Sequence, residues 1–173
     1  YMRGGQRIYR FPELEPYVYA DVSEPHPRDG SRLHKGNPWK LVFANGRVLE
    51  FGGPYLQYSG YLASRLINRL GHPLVLNYNG ANRLDSLTDA DGKNTSFVYN
   101  SFFGETRLWK IHSPDNRAAT FGYVQTAVGN VLLASITDAN GLVSSFTYPD
   151  SNHPNFLYAQ GVPHTLTTPY GTT

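Results

Sequence analysis

From Asn94 to Tyr99 polar and apolar positions alternate: Thr95, Phe97 and Tyr99 share one face of an extended strand, and Asn94, Ser96 and Val98 share the other. Upstream, Leu84 to Thr88 runs into Asp89-Ala90-Asp91-Gly92, whose residues suit a tight reversal. The stretch therefore predicts a β-hairpin with its aromatic face towards a core. The outgoing strand breaks the alternation, because Leu84 and Leu87 stand three apart, as do Leu108 and Ile111, and Leu133 and Ile136. That spacing predicts a bulge, since one extra residue restores two side chains to the same face.

The same pattern recurs along the chain. Aligned on Gly46, Gly71, Gly92, Asn116 and Gly141, the spacings are 25, 21, 24 and 25 residues. Five positions before each anchor stands a large aliphatic: Leu41, Leu66, Leu87, Ile111 and Ile136. Five positions after it stand Phe51, Leu76, Phe97, Phe121 and Phe146, and seven after it Tyr78, Tyr99, Tyr123 and Tyr148, with Gly53 in the first copy. Three before the anchor, Asn68, Asp89, Ser113 and Asp138 can bond the backbone two residues on, while the Gly or Asn anchor tolerates positive φ. Periodicity of this length is the mark of a repeat architecture in which one unit cannot bury its own apolar face.

The expected fold is all-β: tandem hairpins side by side in one continuous curved antiparallel sheet, an arc of a spiral shell, because twisted hairpins added in one direction curl. Residues 39–173 carry five complete copies and a sixth that begins at Leu166 and lacks its return strand. The unpaired edge expected there predicts edge-mediated dimers or a fold-back of the N-terminal segment. Residues 1–38 lie outside the repeat and read as an irregular segment or cap, with short strands at Gln6 to Arg10 and Tyr17 to Ala20 and a loop from Glu24 to Pro38. Leu62 to Leu70 has a local helical look, but the register of Leu66 assigns it to an outgoing strand. The stretches Gly52 to Gly60 and Pro149 to Gly161 read as surface connectors.

Composition narrows the function. Aromatics are 14% of the 173 residues and charged residues only 16%, which excludes a disordered chain. The net charge of +2 is spread along the sequence, so nucleic acid is not an expected partner. No run approaches the roughly 18 apolar residues of a membrane helix, so no membrane partner is expected either. An opening Tyr1 suggests a piece of a longer polypeptide. Cysteine is absent, which removes disulfides, thiolate metal sites and a cysteine nucleophile.

Candidate chemistry is sparse. His26, His34, His72, His112, His153 and His164 lack the spacings of a helical zinc site, and Asp89-x-Asp91-Gly92 lacks the remaining ligands of a calcium loop. No nucleophile elbow or phosphate loop occurs. The expectation is no catalytic residue, no metal and no cofactor. Tyr55, Tyr58 and Tyr61 in one connector, with Phe102 and Phe103 in another, are the candidate ligand contacts, since exposed rings stack on sugars or dock partners. The competing reading folds those rings back over the sheet.

The columns resemble the Rhs or YD-repeat family. Arg83-Leu84-Asp85-Ser86-Leu87-Thr88-Asp89-Ala90-Asp91-Gly92 followed by Phe97-Val98-Tyr99-Asn100 is similar to its unit, as is Leu133-Ala134-Ser135-Ile136-Thr137-Asp138-Ala139-Asn140-Gly141 followed by Phe146-Thr147-Tyr148. The Asp that closes the family's unit is replaced here by Asn79, Asn100, Val124 or Pro149, and the fourth copy lacks the turn Asp and Gly. The resemblance implies a non-catalytic wall segment of a large secreted or surface bacterial protein. Its partners would be neighbouring repeats of the parent chain and an enclosed toxin domain. The alternative it allows is an adhesion module that binds glycan or protein through the connector aromatics. The family's self-cleavage motif has no counterpart here, so no self-cleavage is expected.

Overall fold

The computed structural model describes residues 2–3, 6–7, 25–26, 28–56, 60–126, 129–149 and 161–172. The described residues are all-β, with no helix, and fall into two compact units divided between Lys93 and Asn94. The expected strand at Tyr17 to Ala20 lies outside them.

In the first unit, β1 (Met2–Arg3) and β2 (Gln6–Arg7) form a short antiparallel pair. The main sheet runs in the order β3 (Arg32–His34), β4 (Trp39–Val42), β5 (Val48–Phe51), β8 (Arg65–Ile67), β9 (Pro73–Tyr78), β10 (Leu84–Thr88), every neighbour antiparallel. β6 (Tyr55–Leu56) and β7 (Gly60–Tyr61) pair with each other in the connector between β5 and β8. The loop expected from Glu24 to Pro38 thus contains a strand. Three residues between Gly30 and Gly36 are too few to show a period, and β3 is held instead by its ladder with β4. The register puts Leu33, Leu41, Leu49, Leu66 and Leu74 in one cross-strand row, with Leu41 only 1% exposed. On the opposite face Glu50, 6% exposed, lies between Lys40 (Nζ 3.1 Å) and Arg65 (Nη1 3.6 Å), its ladder partners on either side. Two cations on neighbouring strands give a covered carboxylate the paired partners that burial of a charge requires.

The second unit is a meander: β11 (Asn94–Phe102), β12 (Glu105–His112), β13 (Ala118–Gln125), β14 (Val131–Thr137), β15 (Val143–Thr147), β16 (Thr165–Thr168) and β17 (Gly171–Thr172). Each strand pairs antiparallel with the next. β17 corrects the expectation that the sixth copy lacks its return strand, because the chain reverses at Pro169-Tyr170 and pairs Thr168 with Gly171 and Thr167 with Thr172.

All five anchors take positive φ, from 62° at Asn116 to 86° at Gly71. At each, the anchor N–H donates to the carbonyl three residues back, as in Gly92 to Asp89 at 3.1 Å and Asn116 to Ser113 at 3.0 Å. The bulges also fall where the three-residue spacing places them. Asp85 lies between Leu84, opposite Tyr78, and Ser86, opposite Asn77. Trp109 and Ala134 are the corresponding extra residues on β12 and β14.

In four of the copies the expected hairpin forms, the outgoing and return strands meeting over four partner pairs in β4–β5 and three in β8–β9, β12–β13 and β14–β15. Ladders from one copy to the next run from three pairs in β5–β8 and β15–β16 to six in β13–β14 and seven in β11–β12. The connectors 79–83 and 126–130 close with the same turn as the anchors, Asn82 donating to the Asn79 carbonyl and Gly129 to that of Thr126, both at 2.9 Å. One further expectation needs correction: the aromatic columns are half-buried rather than core. Among the described residues the buried apolar side chains are Leu41 and Val131. Among the described residues, strands make their substantial contacts with ladder neighbours, so the rings there have adjacent rows beside them.

Candidate functional site

The feature that recurs most closely is a junction of turn, short ladder and tyrosine. Four of the turns, at Asn68, Asn79, Asp89 and Asp138, begin with an acceptor that satisfies backbone N–H groups two and four residues on, while at Ser113 the hydroxyl instead donates to the Arg117 carbonyl. Asp89 Oδ1 takes the N–H of Asp91 (3.0 Å) and Lys93 (2.9 Å); Asp138 Oδ1 takes those of Asn140 (2.8 Å) and Leu142 (2.9 Å). Asn68 and Asn79 do the same for Leu70 and His72, and for Ala81 and Arg83. The carboxylates of Asp89 and Asp138 are thus occupied as turn caps.

Past the three-pair ladder the strands part, and a tyrosine hydroxyl crosses the gap. Tyr78 donates to the Ala63 carbonyl at 2.7 Å, Tyr123 to that of Leu108 at 2.7 Å, and Tyr148 to that of Leu133 at 2.6 Å. Donor and acceptor are 15 residues apart in all three. Burial pushes each of these phenols above its ordinary value, and at Tyr123 the nearby Arg107 charge opposes that shift. The neutral hydroxyl, which alone can donate, is therefore the favoured form. These latches escaped the sequence reading because alternation reports the face of a ring and not the reach of its hydroxyl. The signal that could have found them is the tyrosine column itself, where Tyr replaces the Phe of the neighbouring column.

The junction also accounts for the aromatic pairing. Phe97 lies opposite Ile111, Phe121 opposite Ile136 and Phe146 opposite Leu166, so the ring of one copy packs beside the aliphatic of the next. Tyr99 and Tyr123 stand opposite Leu108 and Leu133.

Of the five candidate ligand contacts, the structure describes the side chains of Tyr61, Phe102 and Phe103. Tyr58 lies outside the described residues, as does the side chain of Tyr55, whose backbone pairs with Tyr61. Tyr61 is 51% exposed. Phe102 is half-buried and rests on Tyr123, ring centroids 4.9 Å apart and planes tilted by 45°, which is the fold-back arrangement. Phe103 is 56% exposed at the tip of the β11–β12 hairpin, where it takes φ 50° ahead of Gly104 at φ 81°. Two positive φ values define a type I′ turn, in which a bulky residue at the first position is unusual.

Among the described residues no three His, Asp or Glu side chains gather into a metal-binding group. What the junction can do is hold backbone: acceptors close the turns, hydroxyls close the gaps, and cross-copy ring pairs set the register. No family model matches the chain, and no curated protein matches it.

Proposed function

We propose that this chain is a structural segment of a wall, of the Rhs or YD-repeat kind, in a large secreted or surface-exposed bacterial protein. The observation that carries the reading is the recurrence of one junction, with its capped turn, short ladder and tyrosine latch, in both units. The long β11–β12 and β13–β14 ladders between copies support it as well, because such copies depend on their neighbours and not on a private core. In this reading the sheet is an arc of a spiral shell, the neighbouring repeats of the parent chain are its immediate partners, and a toxin domain is the enclosed cargo. Edge-mediated pairing between copies of the chain belongs to the same proposal.

Electron cryomicroscopy of the intact natural polypeptide tests the wall: the segment should lie in a closed protein shell, and a position on an extended stalk would overturn the reading. A second reading, adhesion to glycan or protein, is favoured by the exposure of Tyr61 and Phe103. Saturable binding on a glycan array that disappears in Tyr61→Ala or Phe103→Gly would replace the first reading with this one.

A further inference from the structure

The sequence holds three Asn-Gly pairs, Asn45-Gly46, Asn79-Gly80 and Asn140-Gly141, and each stands in or beside a turn. Such pairs share one spontaneous reaction. The backbone nitrogen of the glycine bonds to the side-chain carboxamide carbon, the carbon–nitrogen bond to the side-chain amide breaks, and ammonia leaves carrying the proton lost by the peptide nitrogen. Solvent water then opens the cyclic imide at either carbonyl, giving aspartate or isoaspartate. No oxidant or cofactor takes part.

The three sites share this chemistry but differ in how firmly the carboxamide is held. At Asn79, half-buried, Oδ1 accepts from Ala81 N at 3.0 Å and Arg83 N at 3.1 Å, so closing the ring requires both bonds to break. At Asn45, Oδ1 accepts from Arg47 N at 3.2 Å and from Arg47 Nε at 3.3 Å. Asn140 is exposed, and among the described residues its side chain has no hydrogen-bond partner, the cap of its turn being Asp138. The glycine nitrogens differ less: Gly46 N donates to Phe43 at 2.9 Å, and Gly141 N to Asp138 at a longer 3.1 Å. Space around Gly141 is also open, with no atom within 4 Å of where a Cβ would sit.

We propose that Asn140 is the site of spontaneous conversion to isoaspartate in the folded protein, ahead of Asn45 and Asn79. The repeat tells which product matters. One residue before the anchor, two other copies carry Asp91 and Asp115, so an ordinary aspartate fits this place in the turn. Isoaspartate instead adds a methylene to the main chain inside the reversal that sets β14 against β15, a ladder of three pairs with little register to spare.

The test is peptide mass spectrometry of the full chain aged in mildly alkaline buffer, with fragmentation that separates aspartate from isoaspartate, run in parallel on chain unfolded in denaturant. The expected result is several-fold more conversion at Asn140 than at Asn45 or Asn79 in the folded chain, with the three converging when unfolded. Asn140→Asp should melt with the fresh protein, whereas the aged isoaspartate fraction should melt earlier. Conversion of Asn45 or Asn79 as fast as Asn140 in the folded chain would overturn the proposal. So would the same preference for Asn140 in denaturant, which would remove the structure as its cause.

Discussion

Tyr123 donates its hydroxyl to the carbonyl of Leu108 at 2.7 Å, across a seam where the β12–β13 ladder has ended at Lys110 and Thr120. The same ring rests against Phe102, so one side chain both bonds the outgoing strand and covers the hairpin beside it.

Tyr123→Phe keeps the ring and removes only the donor. It should cost about 1 kcal/mol, the net worth of one hydrogen bond. Tyr148→Phe should cost a similar amount, because Tyr148 meets Leu133 at 2.6 Å in the same way. Chemical denaturation of both variants and their double checks this; no change in midpoint for either would show that the latches contribute nothing.

Alkali should loosen the same seams. Burial raises the phenols of Tyr78, Tyr123 and Tyr148 above the unfolded value of 10.0. A raised folded value means the contribution is whole below the unfolded value and is lost as pH climbs through the folded ones. The latches' contribution to the melting temperature should therefore hold from neutral pH up to about pH 10 and fall beyond it. In the Tyr78→Phe, Tyr123→Phe, Tyr148→Phe triple variant that alkaline decline should be shallower, as measured by thermal melts across the series.

Gly122 stands opposite Ser135, and a Cβ placed on it would come within 2.5 Å of Ser135 Oγ. Gly122→Ala should destabilise by about 1–3 kcal/mol through overpacking. Adding Ser135→Ala removes the clashing oxygen and should recover part of the loss. A double variant no better than the single would place the cause elsewhere.

Asp89 caps its turn with a single oxygen that serves two N–H groups. Asp89→Ala should cost about 1–2 kcal/mol, in the range of other lost backbone caps. Asp89→Asn should stay within about 0.5 kcal/mol of the parent, as expected of a substitution that keeps its bonds, because Asn68 and Asn79 already do this work with an amide oxygen. Equal losses in the two variants would mean that the negative charge, and not the acceptor, is what the turn uses.

Much of this was legible in the residues. The turn anchors, the strand assignment of Arg65–Ile67 over its helical look, and the bulges at Asp85, Trp109 and Ala134 all follow from spacing. They are local properties: positive φ is available to Gly and Asn, and leucines three apart in a strand need one extra residue between them.

Pairing partners were not legible, because a strand carries the same alternation whichever neighbour it meets. Only the folded chain decided that Phe97 faces Ile111 of the next copy, that the β12–β13 seam stops after three pairs, and that the turn at 79–83 equals those at the anchors. Burial was likewise beyond reach of the pattern. Alternation says which side chains share a face, but whether that face is sealed depends on a second layer, and among the described residues Phe97, Phe121 and Phe146 are only half-buried.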